Sequence, residues 1–332
     1  MIKNKTCGIA LVSLCIFTVF SIFSCGKQKE TRAGGTTRNT AGSAEITSPG
    51  GTITVSGAFA LYPLMVRWAE EYKKVYPDME MEISAGGAGK GMADVLGSMV
   101  DIGMISREIY PAELEKGAWP VAVARDAVVG IINKNSPLLP YISAHGITRE
   151  DVRSLWLYET YPDAAPPGFT PNIYTRSDAC GAGAVWGEFI GVKQEDLKGI
   201  GVFGDPGIVE AVKSDPSGLG YGNVNFVYDG KTLKPVEGVT VLPLDLNGDG
   251  TLTADENFYD TRDYLTAAIA SGKYPSPPAR DLFLVTRGKP EKPVIVRFLR
   301  WILSEGQNFV EESGYIRLPP GRIGSQVEEL IQ

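Results

Sequence analysis

Two segments of this 332-residue chain hold residues whose types and spacing could do chemistry. The first is DLNGDGTLTADE, residues 245–256. Asp245, Asn247 and Asp249 stand at alternate positions from its start, Gly250 follows where a sharp turn is needed, and Glu256 closes it. With the Thr251 carbonyl, these are hard oxygen donors at the spacing of an EF-hand calcium loop. A single structural calcium ion (Ca2+), held by Asp245, Asn247, Asp249, Thr251 and Glu256, is the expectation; an Asx-rich surface turn is the alternative. The second segment is TRSDACGAGAVW, residues 175–186. Cys180 sits among small residues before a predicted helix, with Arg176 and Asp178 just upstream. A catalytic thiol needs a base, and His145 is the chain's single imidazole, placed in a loop that reads as surface. The better reading of Cys180 is a small residue whose backbone N–H faces a ligand. Arg176 offers a planar fork suited to an oxyanion and oriented by Asp178, with a buried structural ion pair as the alternative. No enzymatic activity is expected.

These residues need elements to hold them. GTITVSG alternates and is β-branched, which predicts a strand. In the segment after it, Leu61, Leu64, Met65, Trp68 and Tyr72 share one helical face. MEMEISAGG predicts a second strand, and KGMADVLGSMV a helix with Met92, Val95, Leu96 and Met99 on one face. AVVGIINKNSP predicts an apolar strand ending before Pro137. ITREDVRSLWL predicts a helix capped by Thr148, and NIYTRSD a strand running into the Arg176 loop. Two closing helices are predicted in EKPVIVRFLRWILSEGQNFVEESG. Strands alternating with helices define an α/β class with largely parallel sheets.

Three predicted strand-to-helix turns share one design: Gly57-Ala58-Phe59-Ala60, Ala85-Gly86-Gly87-Ala88-Gly89 and Ala179-Cys180-Gly181-Ala182. Each is built of small residues at a helix N-terminus, where free N–H groups and the helix dipole favour anions. GGAGKG is not a nucleotide loop, because Gly91 follows Lys90 where Ser or Thr is required.

The chain opens with Lys3 and Lys5, then an apolar run, then Ile22-Phe23-Ser24-Cys25. This is the layout of a secretory signal. The cysteine after a small residue resembles the lipobox of bacterial lipoproteins, which implies cleavage after residue 24 and lipidation of Cys25. An uncleaved membrane anchor is the alternative. Residues 25–50 are polar and rich in Gly, Ser and Thr, and read as a tether. With Cys7 and Cys15 in the signal and Cys25 lipidated, Cys180 has no disulfide partner. A net charge of −7 with no basic block argues against nucleic acid as a partner.

The order SGAFALYPLMVRWAEEY, SAGGAGKGMADVLGSMVDIGMISREI, TRSDACGAG, GLGYGNV resembles the phosphate-binding proteins of bacterial phosphate ABC transporters, over about residues 52–319. The resemblance implies a type II periplasmic-binding-protein fold: two α/β lobes, residues 51–132 plus 281–332 and residues 133–280, with a ligand cleft between them. It further implies a monomer that captures a small oxyanion, phosphate or a relative, for an ABC transporter permease while anchored to the membrane by its lipid. The implied ligand residues are Ala58, Phe59, Ala60, Ala88, Gly89, Ser106, Arg107, Arg176, Cys180, Gly181 and Ala182. The family's hydroxyls are mostly absent: Ala88, Cys180 and Ala182 stand where it carries serine or threonine. That leaves a different ligand, or a sensing or adhesion role, as the rival reading; an exported cysteine hydrolase is a weaker one.

Overall fold

A computed structural model describes residues 50–161 and 167–331. The expected signal, Cys25 and nearly all of the tether lie outside the described residues. The strands are β1 (Gly51–Gly57), β2 (Met79–Ala85), β3 (Ile102–Ile105), β4 (Ala118–Asn133), β5 (Asn172–Arg176), β6 (Ile200–Val202), β7 (Gly218–Asn223), β8 (Val239–Val241) and β9 (Ala279–Arg287). Their order in one curled sheet is β2-β1-β3-β9-β4-β7-β5-β6, with β8 paired to β4. Pairing is parallel at β1–β2, β1–β3, β5–β6 and β5–β7, and antiparallel wherever β4 or β9 takes part.

Two hydrophobic cores lie along this sheet. One joins Ile53, Leu64, Trp68, Met104, Val123, Leu284 and Phe298; the other joins Val129, Trp156, Trp186, Tyr221, Leu244 and Leu265. The amphipathic stripe of the first helix, Tyr62–Val75, is the reason it packs there: Leu64, Met65, Trp68 and Tyr72 are all fully buried. The expected stripe of the next helix is only partly realised. That helix ends at Leu96, so Met99 lies past its end and is 75% exposed.

The strand β4 begins nine residues before the predicted apolar run. Its first part, through Ala124, belongs to one core and its part from Ala127 to the other. The cores therefore part near residues 125–126, earlier than the expected boundary at 132. Asp126 interrupts the apolar pattern there and is stabilised by Arg280, its register partner on β9, with Nε–Oδ1 of 2.9 Å. The chain also ends differently from the expectation. Pro293–Leu303 is an α-helix, but Glu305–Phe309 is a short 3-10 turn, and a further helix, Pro320–Ile331, follows.

Candidate functional site

The loops leaving β1, β2, β3 and β5 meet at one place. Gly57 has φ of +134°, and a Cβ there would lie 2.3 Å from the Met104 carbonyl oxygen, so glycine is required. Its carbonyl accepts from Gly86 N at 2.8 Å and Gly87 N at 3.1 Å, which ties the first loop to the second. Ala58 N donates to Met104 O at 2.8 Å. Ala60 is buried, and its carbonyl accepts from the Tyr315 hydroxyl at 2.7 Å.

The second loop starts the helix Ala88–Leu96, with Gly87 as N-cap. It touches the Arg176 loop directly: Gly89 N donates to Ala179 O at 3.0 Å. A side chain at Gly87 would meet the Asp178 carboxylate and the Ala179 carbonyl, each at 2.8 Å. Likewise, a Cβ at Gly181 would collide with the carbonyl and hydroxyl of Ser106. The glycines thus permit loops from the two cores to close on each other. Lys90 is turned back onto its own helix, paired with Asp94, which also accepts from the Ser56 hydroxyl at 2.6 Å.

Arg176 lies at the centre, its side chain 1% exposed. Nε donates to Asp178 Oδ1 at 2.8 Å and Nη2 to Asp178 Oδ2 at 2.6 Å. Nη1 donates to Asp205 Oδ2 at 2.6 Å. Asp178 also accepts from Gly204 N, and Asp205 from Asn223 N. The Phe59 ring stands 5.3 Å from the guanidinium carbon. It also meets Phe203 and Phe226 edge-on, at 5.8 and 6.3 Å. One guanidinium is therefore held by two carboxylates and covered by an aromatic face. Those bonds engage three of its five N–H groups, so a ligand oxygen would compete with Asp205 or take the others.

Cys180 caps the helix Gly181–Phe189: Sγ accepts from Gly183 N at 3.2 Å. Burial pushes its thiol up to about 12, against the pull of Arg176. That is the wrong direction for a nucleophile, which must be a thiolate. Its own N–H donates to Gln194 Oε1 at 3.1 Å, and Gln194 Nε2 donates to the Asp178 carbonyl at 2.6 Å. Ala182 is buried in the first turn. His145 is bonded through Nδ1 to the Gly250 carbonyl at 2.7 Å and packs on Tyr141.

Ser106 is buried, and Arg107 makes a two-bond fork with Glu113 at 2.7 and 2.9 Å under the Tyr110 ring. Burial works to raise the Glu113 carboxyl, and the Arg107 fork with the Tyr110 N–H outweighs it, holding the group below the usual range. Arg107 borders a groove of about 790 Å³ shared with Gly89, Tyr110, Cys180, Glu188 and Gln194.

Sequence reasoning missed Asp205, Gln194, Asn223, Phe203 and Phe226. Asp205 had a legible signal, an acid in the first turn of the helix Gly204–Ser214. The others had none, because long-range packing brings them to the loops.

In the segment 245–256, Asp245 accepts from Gly248 N and Gly250 N, and Glu256 from Leu246 N, Asn247 N and both donors of Thr253. Asn247 and Asp249 bond each other, and Asp249 accepts from Thr251 N. The oxygen types suit a hard cation. Their placement is that of a self-bonded turn, and among the described residues no three acidic, His or Cys side chains converge as a metal cluster.

Two curled halves of one sheet, joined by β4 and β9 and facing each other through glycine loops, define a type II periplasmic-binding-protein fold. The chain belongs to the PBP superfamily: residues 34–306 match its domain model. Among its relatives is the phosphate-binding protein PstS of Pseudomonas aeruginosa, 26% identical over 309 residues that cover 84% of this chain and 87% of the relative. PstS of Methanocaldococcus jannaschii is 24% identical and covers 84% and 86%. An ABC-type phosphate transport receptor from Vibrio cholerae superposes with a TM-score of 0.59 at 17% identity, over 80% of this chain and all of the receptor. A protein from Clostridium perfringens solved with bound phosphate gives 0.65 at 21% identity, over 81% of this chain and all of its own. The resemblance read from the loops is thus one of family, and the homologues are phosphate-binding proteins of ABC transporters. Among the described residues no helix is long and apolar enough to cross a membrane.

Proposed function

We propose that this chain is an exported solute receptor that captures phosphate or a similar small oxyanion in the cleft and delivers it to an ABC permease, anchored by lipid on Cys25. The observation that carries the reading is the meeting of four loops from both halves of the sheet around the buried Arg176. The names of the relatives point the same way. Calorimetric titration of the purified protein with phosphate and sulfate tests the ligand. A small oxyanion should bind, and Arg176→Lys should weaken it at least tenfold, since a charge-assisted hydrogen bond is worth about 1.5–3 kcal/mol. Cys25→Ser should abolish partitioning into detergent; unchanged partitioning of a processed protein would remove the anchor.

A second reading, a binding scaffold turned to another ligand or to sensing, is favoured by one observation. Arg176 already holds two carboxylates, and Ala88, Cys180 and Ala182 offer no hydroxyl. Under it, phosphate and sulfate would leave both heat of titration and melting temperature unchanged. We also infer that the segment 245–256 takes calcium once its carboxylates turn from the loop N–H groups to the ion. What supports this is the donor set and the lack, among the described residues, of a basic partner for Asp245, Asp249 or Glu256.

A further inference from the structure

Four arginines are buried among the described residues: Arg107, Arg176, Arg262 and Arg280. Three have a carboxylate at hydrogen-bond distance: Glu113 for Arg107, Asp178 and Asp205 for Arg176, and Asp126 for Arg280. Arg262 is the exception. Its side chain is 9% exposed, and the nearest carboxylate, Asp263, lies 4.0 Å from Nε. Nε has no hydrogen-bond partner. Nη1 reaches Asn225 Oδ1 at 3.4 Å and Nη2 the Glu312 carbonyl at 3.5 Å, both at the long limit for such bonds. A guanidinium does not lose its proton, so this is a buried cation short of an acceptor.

The surroundings leave room for the guanidinium and favour an anion beside it. Arg262 is the first residue of the helix Arg262–Ala270, the end at which a cation is disfavoured by the helix dipole and an anion is welcome. Gly314 lies beneath it with φ of +83°, and a Cβ there would fall 2.6 Å from Cζ and Nε. The place is also at the seam. Arg262 and Asn225 come from one side and Glu312 and Gly314 from the C-terminal part of the other. Phe226, next to Asn225, faces Phe59, and Tyr315, next to Gly314, bonds the Ala60 carbonyl.

We propose that Arg262, with Asn225, seats an oxyanion group of the bound solute. This rests on the reading that the cleft takes a small oxyanion. The group belongs either to free phosphate or to a phosphomonoester whose remainder lies in the cleft.

The test is calorimetry of the full protein with inorganic phosphate and, separately, with glycerol 3-phosphate. The variants are Arg262→Lys, Arg262→Gln and Gly314→Ala, each checked by melting curve. Arg262→Lys keeps the charge and loses the fork; Gly314→Ala displaces the guanidinium without removing it. Each folded variant should lose at least tenfold in affinity for whichever probe the wild type binds, and tighter binding of the ester identifies the larger solute. Folded variants that bind as the wild type does, with or without a lower melting temperature, make Arg262 a strut between the lobes and overturn the inference alone. A wild type that binds neither probe, and no sulfate, overturns both this inference and the oxyanion reading beneath it.

Discussion

Replacing Arg176 by alanine would strand two carboxylates in the protein interior. Asp205 is fully buried and the Asp178 side chain 8% exposed, so neither can recover its hydration in place. Each would keep one backbone donor, Gly204 N or Asn223 N, and lose its cation. Removing one partner of a buried pair costs about 3–5 kcal/mol, most of it the uncompensated charge. The Phe59 contact, largely desolvated, adds up to about 2 kcal/mol. For a folded part of this size the entropy of unfolding is about 0.6 kcal/mol per kelvin. The melting temperature should therefore drop by about 5–12 °C. The assay is urea unfolding of the wild type, Arg176→Ala, Asp205→Ala and the double variant. If the penalty is stranded charge, the double variant should be less destabilised than the sum of the singles by at least about 1 kcal/mol. A loss below about 1 kcal/mol for Arg176→Ala, or strict additivity in the cycle, would refute the buried-triad argument.

Three other outcomes follow from particular groups. The Cys180 thiol, pushed up to about 12 by burial, should resist a disulfide reagent at pH 8 until the protein unfolds, and Cys180→Ser should keep the helix cap within about 1 kcal/mol; rapid native labelling would contradict the buried cap. Glu113 sits below its ordinary value, so the stability it contributes is present above the usual carboxylate range and lost as pH falls through it. The stability gap between wild type and Glu113→Gln should hold at neutral pH and close below about pH 4; a gap that does not vary with pH would contradict the Arg107 fork. Calcium at a hundredfold excess over its dissociation constant should add about 2.7 kcal/mol and raise the melting temperature, with Glu256→Gln blunting the response. Indifference to both calcium and chelator would leave the segment a surface turn.

The parts of the fold legible in the sequence were those governed by local pattern. Val55 and Ile53 alternate with polar residues along β1, and Thr148 caps the helix Arg149–Tyr158 through Asp151 N. The glycine loops were legible because positive φ and close approach leave no other residue possible at Gly57 and Gly87. What was hidden depends on partners distant in sequence. The part of β4 before the predicted run carries Pro120, Arg125 and Asp126, which interrupt the apolar pattern. The strand continues because Arg280, 154 residues on, neutralises Asp126. In the site, Arg176 could be located, and Asp205 stands out only as a first-turn acid, since nothing near residue 205 names residue 176 as its partner.

The position of β9 has a consequence for how the chain is made. This strand is the last of the nine to be synthesised, yet it lies in the middle of the sheet, between β3 and β4. Strands β1 to β3 therefore leave the ribosome long before the neighbour that completes their sheet. The helix Pro293–Leu303, which supplies Phe298 and Leu299 to the same core, comes later still. The half of the molecule that begins first closes last, and contacts of such long sequence separation form slowly. A chain still in synthesis is thus far from its folded state until its final segment has emerged.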